Sequence, residues 1–300
     1  MYNLATLSDK NYLIPGLVLY ESLKKYTKDG FILHYLALDN ETYQILSQIK
    51  DNDLKIYSIK DIEGSEYNTL KENNANVPNR MSPYHYMLCP FFCHYLLTQE
   101  KLPHILYADS DICFYDNATD VIKCCTNYDM GFLAHKHCQF GAYVGFFNVG
   151  VIFFKSTEVG LKCLTWWKDI GLNPKNQWAE EYGTCGDQKY LELFWSTFSS
   201  NHHIKIIDSD IGNSAPWNVS RAEICDGFMT WDSSFVFSEK YKTQKLYFHH
   251  FSHFKPIFEN DTYKLDWGGE WGNVLGNPGV PELYDDYYKQ CKIVKQKYEV

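Results

Sequence analysis

The sequence predicts an α/β fold with a mostly parallel central sheet and helices on both faces. Three observations carry this expectation. Strand-like and helix-like patterns alternate through the first hundred residues, the run His104–Ala108 is short and apolar, and an acidic triplet follows that run directly. A short apolar run reads as a strand buried on both faces, which is typical of parallel sheets.

The elements follow in order. Tyr2–Leu7 reads as the first strand, and Tyr12–Tyr26 sets Leu13, Leu17, Tyr20 and Leu23 at helical spacing. Phe31–Leu38 is a second strand, Glu41–Ile49 a helix and Leu54–Ser58 a third strand. The polar, Asn-rich stretch Glu63–Asn79 reads as a loop, and Pro83–Thr98 as an aromatic-rich helix ahead of His104–Ala108. Met130–Ala134 and Phe146–Phe154 are strands around a loop containing His and Gly. Glu158–Gly171 carries Leu161, Leu164, Trp166, Trp167 and Ile170 as a helix to be packed on the sheet. A further helix starts near Gly186 and runs through Tyr190, Leu191 and Phe194, and Pro281–Tyr298 is a terminal helix. No compositional break or internal repeat divides the chain, so one domain over residues 1–300 is expected.

Composition narrows the function. With 28 basic and 37 acidic residues in 300, the net charge of −9 disfavours nucleic-acid partners and a polybasic membrane patch. Hydrophobic residues at 45% and charged ones at 22% exclude disorder, collagen-like repeats and coiled coil as descriptions of the whole. The 8 Trp, 24 Tyr and 19 Phe are expected mainly in the core, although flat aromatic faces also suit sugars and nucleobases. The ten cysteines are scattered in apolar runs without a CxxC pair, which speaks against structural zinc. The chain shows no secretory pattern and no apolar run of about eighteen residues, so a soluble cytoplasmic protein without a transmembrane segment is expected.

Asp109-Ser110-Asp111 closes the strand His104–Ala108. Ligands of open α/β sheets bind at the carboxyl ends of strands. Alternate residues on an extended segment can turn two carboxylates toward one hard cation, such as magnesium or manganese, leaving positions for phosphate oxygens. Two other triplets compete, Asp51-Asn-Asp53 in a polar turn and Asp208-Ser-Asp210 after the strand-like Ile204–Ile207. A phosphohydrolase with a DxD nucleophile is a further alternative, but it would want a hydroxyl residue where Cys113 stands.

Several segments together resemble the retaining glycosyltransferases of the GT-A fold, in particular the glycogenin and lipopolysaccharide galactosyltransferase group. Ala5-Thr6-Leu7-Ser-Asp9-Lys-Asn-Tyr12 resembles the family's first strand and helix, and Asp109-Ser110-Asp111 its metal triplet. Phe147-Asn148-Val-Gly150-Val151 resembles the strand lining the donor sugar, and Gly186-Asp187-Gln188 the segment beside the reacting carbon. His249-His250-Phe251 with Lys255-Pro256 resembles the late metal histidine and diphosphate lysine. The order of these segments favours Asp109/Asp111 over Asp208. Ala215-Pro216-Trp217-Asn218 resembles a loop of bacterial members of the fold that brings no role with it.

The resemblance implies a Rossmann-like nucleotide-diphospho-sugar transferase. It would move a sugar from a nucleoside diphosphate, with uracil as the base, to an acceptor hydroxyl on a glycan, lipid-linked sugar or protein, with retention. Asp109, Asp111 and His250 would hold Mn²⁺ or Mg²⁺, and Lys255 would meet the leaving diphosphate. Ala5, Thr6, Leu7, Tyr12, Ser110, Gly150 and Arg80 would contact the donor, with Asn148, Asp187 and Gln188 around the anomeric carbon. Residues 1–125 would form a nucleotide half, 126–260 a donor-sugar and acceptor half, and 261–300 a C-terminal helical segment. In an extended Tyr247–Phe251, His249 and His250 face opposite sides, so one of them alone can be the ligand. His253 and Ser252 depart from the family pattern around this histidine. A non-catalytic binder of nucleotide sugar or carbohydrate is the alternative from another class.

Overall fold

A computed structural model describes residues 1–74, 83–136, 145–172, 188–198, 203–232, 242–266 and 274–300. The strands are β1 (Tyr2–Ser8), β2 (Phe31–Ala37), β3 (Leu54–Ser58), β4 (His104–Ala108), β5 (Ile112–Phe114), β6 (Met130–Ala134), β7 (Phe147–Lys155), β8 (Ile204–Ile206), β9 (Gly212–Ser214), β10 (Ala222–Cys225), β11 (Phe228–Trp231), β12 (Thr243–His250), β13 (Phe254–Ile257) and β14 (Thr262–Leu265). Seven of them form the main sheet in the order β3-β2-β1-β4-β7-β6-β8. Its β1·β2, β2·β3, β1·β4 and β6·β8 pairs are parallel, whereas β4·β7 and β6·β7 are antiparallel. The sheet is thus mixed but mostly parallel, flanked by helices.

Side-chain alternation explains why both faces are covered. Along β4, Ile105 and Tyr107 enter one apolar cluster while Leu106 and Ala108 enter the other, and Ile152/Phe154 against Val151/Phe153 repeat the division on β7. The helix Leu13–Tyr26 and the C-terminal helix Val280–Tyr298 lie in the first cluster through Leu17, Tyr20, Tyr284 and Tyr287. The helices Pro83–Thr98 and Glu158–Gly171 lie in the second through Phe92, Leu96, Leu164 and Trp167.

The strand β1 pairs with β2 from Tyr2 to Ser8, but its ladder with β4 covers Leu4 and Ala5. Past Ala5 the carboxyl ends of β1 and β4 separate. This is where the strand order reverses, between chain neighbours β1–β3 on one side and β4 on the other, and such switch points open the crevice that ligands occupy. Asp109 follows β4 directly into this crevice.

A second sheet crosses this end of the first, in the order β10-β11-β12-β5, with β9 beside β12. The antiparallel β5·β12 ladder matches Ile112 with His250, Cys113 with His249 and Phe114 with Phe248. The Phe251 N–H also donates to the Asp111 carbonyl at 2.8 Å.

Two expectations need correction. The Glu63–Asn79 stretch is not a loop throughout, because Ser65–Asn74 is helical. Its Tyr67 and Leu70, three residues apart, bury one side against the second cluster, which outweighs poor intrinsic propensity. The acidic triplet does not sit on an extended segment either: the Ile112 N–H donates to the Asp109 carbonyl at 3.0 Å, making a tight turn between β4 and β5.

Gly16 shows how tightly the first helix seats on β2, since a Cβ there would lie 1.9 Å from the Tyr35 hydroxyl. Gly16→Ala is expected to lower stability by about 1–3 kcal/mol in urea unfolding. Adding Tyr35→Phe should recover part of that loss; a double variant no better than Gly16→Ala would contradict the assigned clash.

Candidate functional site

The β4–β5 turn and the β5·β12 register together bring Asp109, Asp111 and His250 into one cluster. Their ligand atoms lie within 4.8 Å of one another. His250 Nε2 is 3.0 Å from Asp111 Oδ1 and 3.9 Å from Asp109 Oδ2. Ligands on adjacent positions of a six-coordinate ion at about 2.1 Å would lie roughly 3 Å apart, so modest contraction would close the set. Two carboxylates and a neutral imidazole carry the charge that one divalent cation neutralises, and the oxygen-rich donor set suits a hard ion with positions left open.

The electrostatics respond to burial. Burial raises the Asp109 carboxyl above the usual range, with His250 opposing. Burial acts the same way on Asp111, but the charge and hydrogen bond of His250 override it and hold that carboxyl low. For His250, burial works against the proton, yet Asp111 and then Asp109 raise its affinity above the ordinary imidazole value. The Tyr107 hydroxyl donates to Asp109 Oδ1 at 2.9 Å, fixing that carboxylate.

His249 goes the other way, as alternation on a strand requires. It is fully buried, with Nδ1 2.7 Å from Ser214 Oγ and Nε2 3.2 Å from the Tyr284 hydroxyl. Burial lowers its basicity well below the ordinary value. It packs the second sheet onto the C-terminal helix.

The other residues read from the sequence fall at differing distances. Gly150 lies against the cluster: a Cβ there would be 2.6 Å from His250 Nδ1, and its carbonyl accepts the Asp109 N–H at 2.8 Å. Ser110 is buried in the turn. Ala5 and Thr6 are enclosed in β1, with the Thr6 hydroxyl lacking a partner among the described residues, while Leu7 is half-buried nearer the strand end. Tyr12 ends a 3₁₀ turn whose Asp9 side chain accepts its N–H. The residue is exposed, while partial desolvation of its phenol, then the charges of Asp111, Tyr86 and Asp109, raise that group above the usual range. Gln188 opens a 3₁₀ turn beside Gly145. Lys255 is exposed on β13, its ammonium 2.6 Å from Asp266 Oδ2 rather than in the cluster. Arg80 and Asp187 lie outside the described residues.

Asn148 is buried and doubly engaged. Its Oδ1 accepts the Gly150 N–H at 2.7 Å and its amide donates to His135 Nε2 at 3.2 Å. His135 Nδ1 faces the Gly145 carbonyl at 2.7 Å, which fixes that nitrogen as the protonated one. His135 was missed in the sequence; a polar residue at the exit of the apolar Met130–Ala134 run was the available signal.

The competing triplets are occupied elsewhere. Asp208 accepts the Ala134 N–H at 2.7 Å and the Asn213 amide at 2.9 Å, and pairs with Lys136 at 2.6 Å. Asp51 pairs with Lys24 at the surface. Cys113, the residue that weakens a phosphohydrolase reading, is buried in β5 and its thiol is pushed up to about 12 by burial.

None of the eight described cysteines forms a disulfide, and among the described residues no helix is long and apolar enough to cross a membrane.

Comparisons with solved structures agree with this architecture. Mouse xyloside xylosyltransferase 1 superposes with a TM-score of 0.53 at 14% identity, over 83% of this chain and 97% of that one. The galactosyltransferase LgtC, in complex with donor and acceptor sugar analogs, superposes at 0.55 with 13% identity, over 83% and 86% of the two chains. These neighbours define the fold: the chain has the GT-A glycosyltransferase fold. In sequence it is similar to two Bacillus subtilis (strain 168) proteins of unassigned function. YfnF is 25% identical over 87% of this chain and 84% of its own, and YfnD is 21% identical over 89% and 82%. No family model matches the chain.

Asp111 and Asp109 raise the proton affinity of His250, so a metal and a proton compete for its imidazole. Below the raised imidazole pKa, Mn²⁺ affinity is therefore expected to fall on the order of tenfold per pH unit, readable by calorimetric titration between pH 8 and 5.5. In the metal-free chain the sign is opposite: the imidazolium stabilises the fold below the ordinary imidazole range, and that contribution is lost as pH rises through the raised value. A pH-independent Mn²⁺ affinity would contradict the assignment of His250 to the cluster.

Proposed function

We propose that the protein is a metal-dependent glycosyltransferase that moves a sugar from a nucleoside diphosphate, with uracil the favoured base, to an acceptor hydroxyl on a glycan, lipid-linked sugar or protein. The observation that carries this reading is the Asp109–Asp111–His250 cluster at the switch point of a GT-A sheet. Mn²⁺ or Mg²⁺ held there would bind the diphosphate and take up the charge it gains on leaving. One cation–anion pair at about 4 Å is worth roughly 4 kcal/mol at an effective dielectric near 20. It counts toward rate to the extent that the protein holds the cluster fixed beforehand.

The chain's own residues supply that fixing. Tyr107 and Gly150 hold Asp109, and the β5·β12 ladder holds Asp111 beside His250. Tyr12 would lie against the base, with the end of β1 at Ala5–Leu7 offering backbone and Ser110 lining the turn. Gln188 and Asp187 are assigned to the donor sugar. An active-site glutamine of LgtC was replaced by glutamate in one of its solved structures, so Gln188 is the first residue to test in that role. With both polar ends of Asn148 engaged, its part is to shape the sugar side of the crevice, and Lys255 must leave Asp266 to meet a diphosphate. Residues 1–125 are assigned to the nucleotide, 126–260 to donor sugar and acceptor, and 261–300 to a C-terminal segment that is strand over Thr262–Leu265 and helical over Val280–Tyr298. Retention is the outcome the family likeness favours.

The test is release of nucleotide from a panel of sugar nucleotides with Mn²⁺. Asp109→Ala/Asp111→Ala is expected to lower turnover by on the order of a hundredfold to a thousandfold. Gln188→Ala should lower kcat with little change in donor affinity. Asp208→Asn should leave metal-dependent donor binding near that of the parent. If parent and double variant bind donor equally and neither releases nucleotide, the chain is a binder and the enzyme reading fails.

A further inference from the structure

The segment Ala215-Pro216-Trp217-Asn218 is held rigidly where no catalytic role has been placed. The Ala215 N–H donates to Asn218 Oδ1 at 3.0 Å, the Val219 N–H to the Ala215 carbonyl at 2.9 Å, and the Asn218 amide to the His135 carbonyl at 3.1 Å. Just before it, Ser214 is tied to His249. The outcome of this bonding is the place of one indole. Trp217 makes edge-type contacts with two imidazoles, its ring 5.2 Å and 80° from that of His250 and 5.5 Å and 74° from that of His135.

From His135 the contacts run back to the cluster by a second route. Asn148 donates to His135 and accepts from Gly150, and the Gly150 carbonyl accepts the Asp109 N–H. The missing side chain of Gly150 leaves room for His250, which a Cβ would meet at 2.6 Å. The contacts therefore form a closed ring: Asp109, Gly150, Asn148, His135, Trp217, His250, and Asp109 again. His250 needs such bracing because an imidazole can rotate about its side-chain bonds, and a metal site depends on outer groups that fix ring orientation.

We propose that Trp217 is a positioning residue for His250, and that through His135 and Asn148 it braces the metal cluster against the start of β7. The proposal rests on the reading of Asp109, Asp111 and His250 as a divalent-cation site. It explains why a bulky, half-buried aromatic residue stands beside a polar centre without belonging to either apolar cluster. It also links two parts of the crevice, the cation side on β12 and the Phe147–Gly150 side on β7.

The measurement is Mn²⁺ affinity of the full chain, with free Mn²⁺ followed by electron paramagnetic resonance, beside melting temperature in EDTA. Trp217→Ala is expected to weaken Mn²⁺ at least about tenfold, while Trp217→Phe, which keeps a ring edge-on to His250, stays near the parent. His135→Ala, one ring removed from His250, should weaken Mn²⁺ as well. The double variant Trp217→Ala/His135→Ala should be no worse than the weaker-binding single, because both act through one chain of contacts. Unchanged Mn²⁺ affinity in Trp217→Ala overturns the proposal while leaving the metal reading intact. So does equal weakening in Trp217→Phe accompanied by early melting, which would mark a purely structural role. Failure of the parent itself to take Mn²⁺ removes the metal reading and the proposal together.

Discussion

The short ladder between Ile112–Phe114 and Phe248–His250 is the interaction on which the rest depends. It joins the turn after a central strand of the main sheet to the middle of a second sheet formed much later in the chain. Because strand side chains alternate with a period of two, a slip by one residue would exchange the two histidines. His249 would then meet the acidic pair, and His250 would be driven toward Ser214 and Tyr284, where a neutral, fully buried imidazole now sits. The register is secured from both sides: by the Phe251 N–H on the Asp111 carbonyl, and by the packing of Phe251 flat against Tyr287 of the C-terminal helix at 3.6 Å.

That geometry concentrates like charge in an enclosed place. Two carboxylates so close would repel each other and lose hydration without a cation, and in the metal-free chain they raise the proton affinity of His250, whose imidazolium form would offset that repulsion. A divalent ion answers it more fully. The acidic balance of the whole sequence, −9, is thus compatible with a diphosphate ligand, since the charge that meets the phosphates need not come from lysine or arginine. Lys255 fits this picture, spending its charge on the exposed Asp266.

The aromatic excess divides into two uses. Most rings fill the two apolar layers, where Phe, Tyr and Trp supply large buried area. A few stand at polar positions instead: Tyr12 is exposed at the end of the turn capped by Asp9, and Trp217 is in edge contact with two imidazoles. These differ from core residues in their neighbours rather than in their type, which is why composition cannot separate the two uses.

Periodicity and order by themselves determined much of this protein. The alternation of strand and helix, the buried character of His104–Ala108, and the carboxylates at its end were legible because they depend on local spacing and on which faces must be apolar. The choice of Asp109 and Asp111 over Asp208 came from the family resemblance, whose segments fix an order that spacing alone does not, and Asp208 is engaged by Ala134, Asn213 and Lys136. The helix Ser65–Asn74 was not legible, because two buried residues, Tyr67 and Leu70, outweigh a polar sequence only once a sheet exists to receive them. Nor were His135 and Trp217, whose positions follow from contacts between distant segments. Alternation allowed one ligand from His249 and His250 and the resemblance pointed to His250, but only the β5·β12 register shows what holds it beside Asp109 and Asp111. A strand's pattern says which residues share a face, and only pairing with another strand says what that face meets.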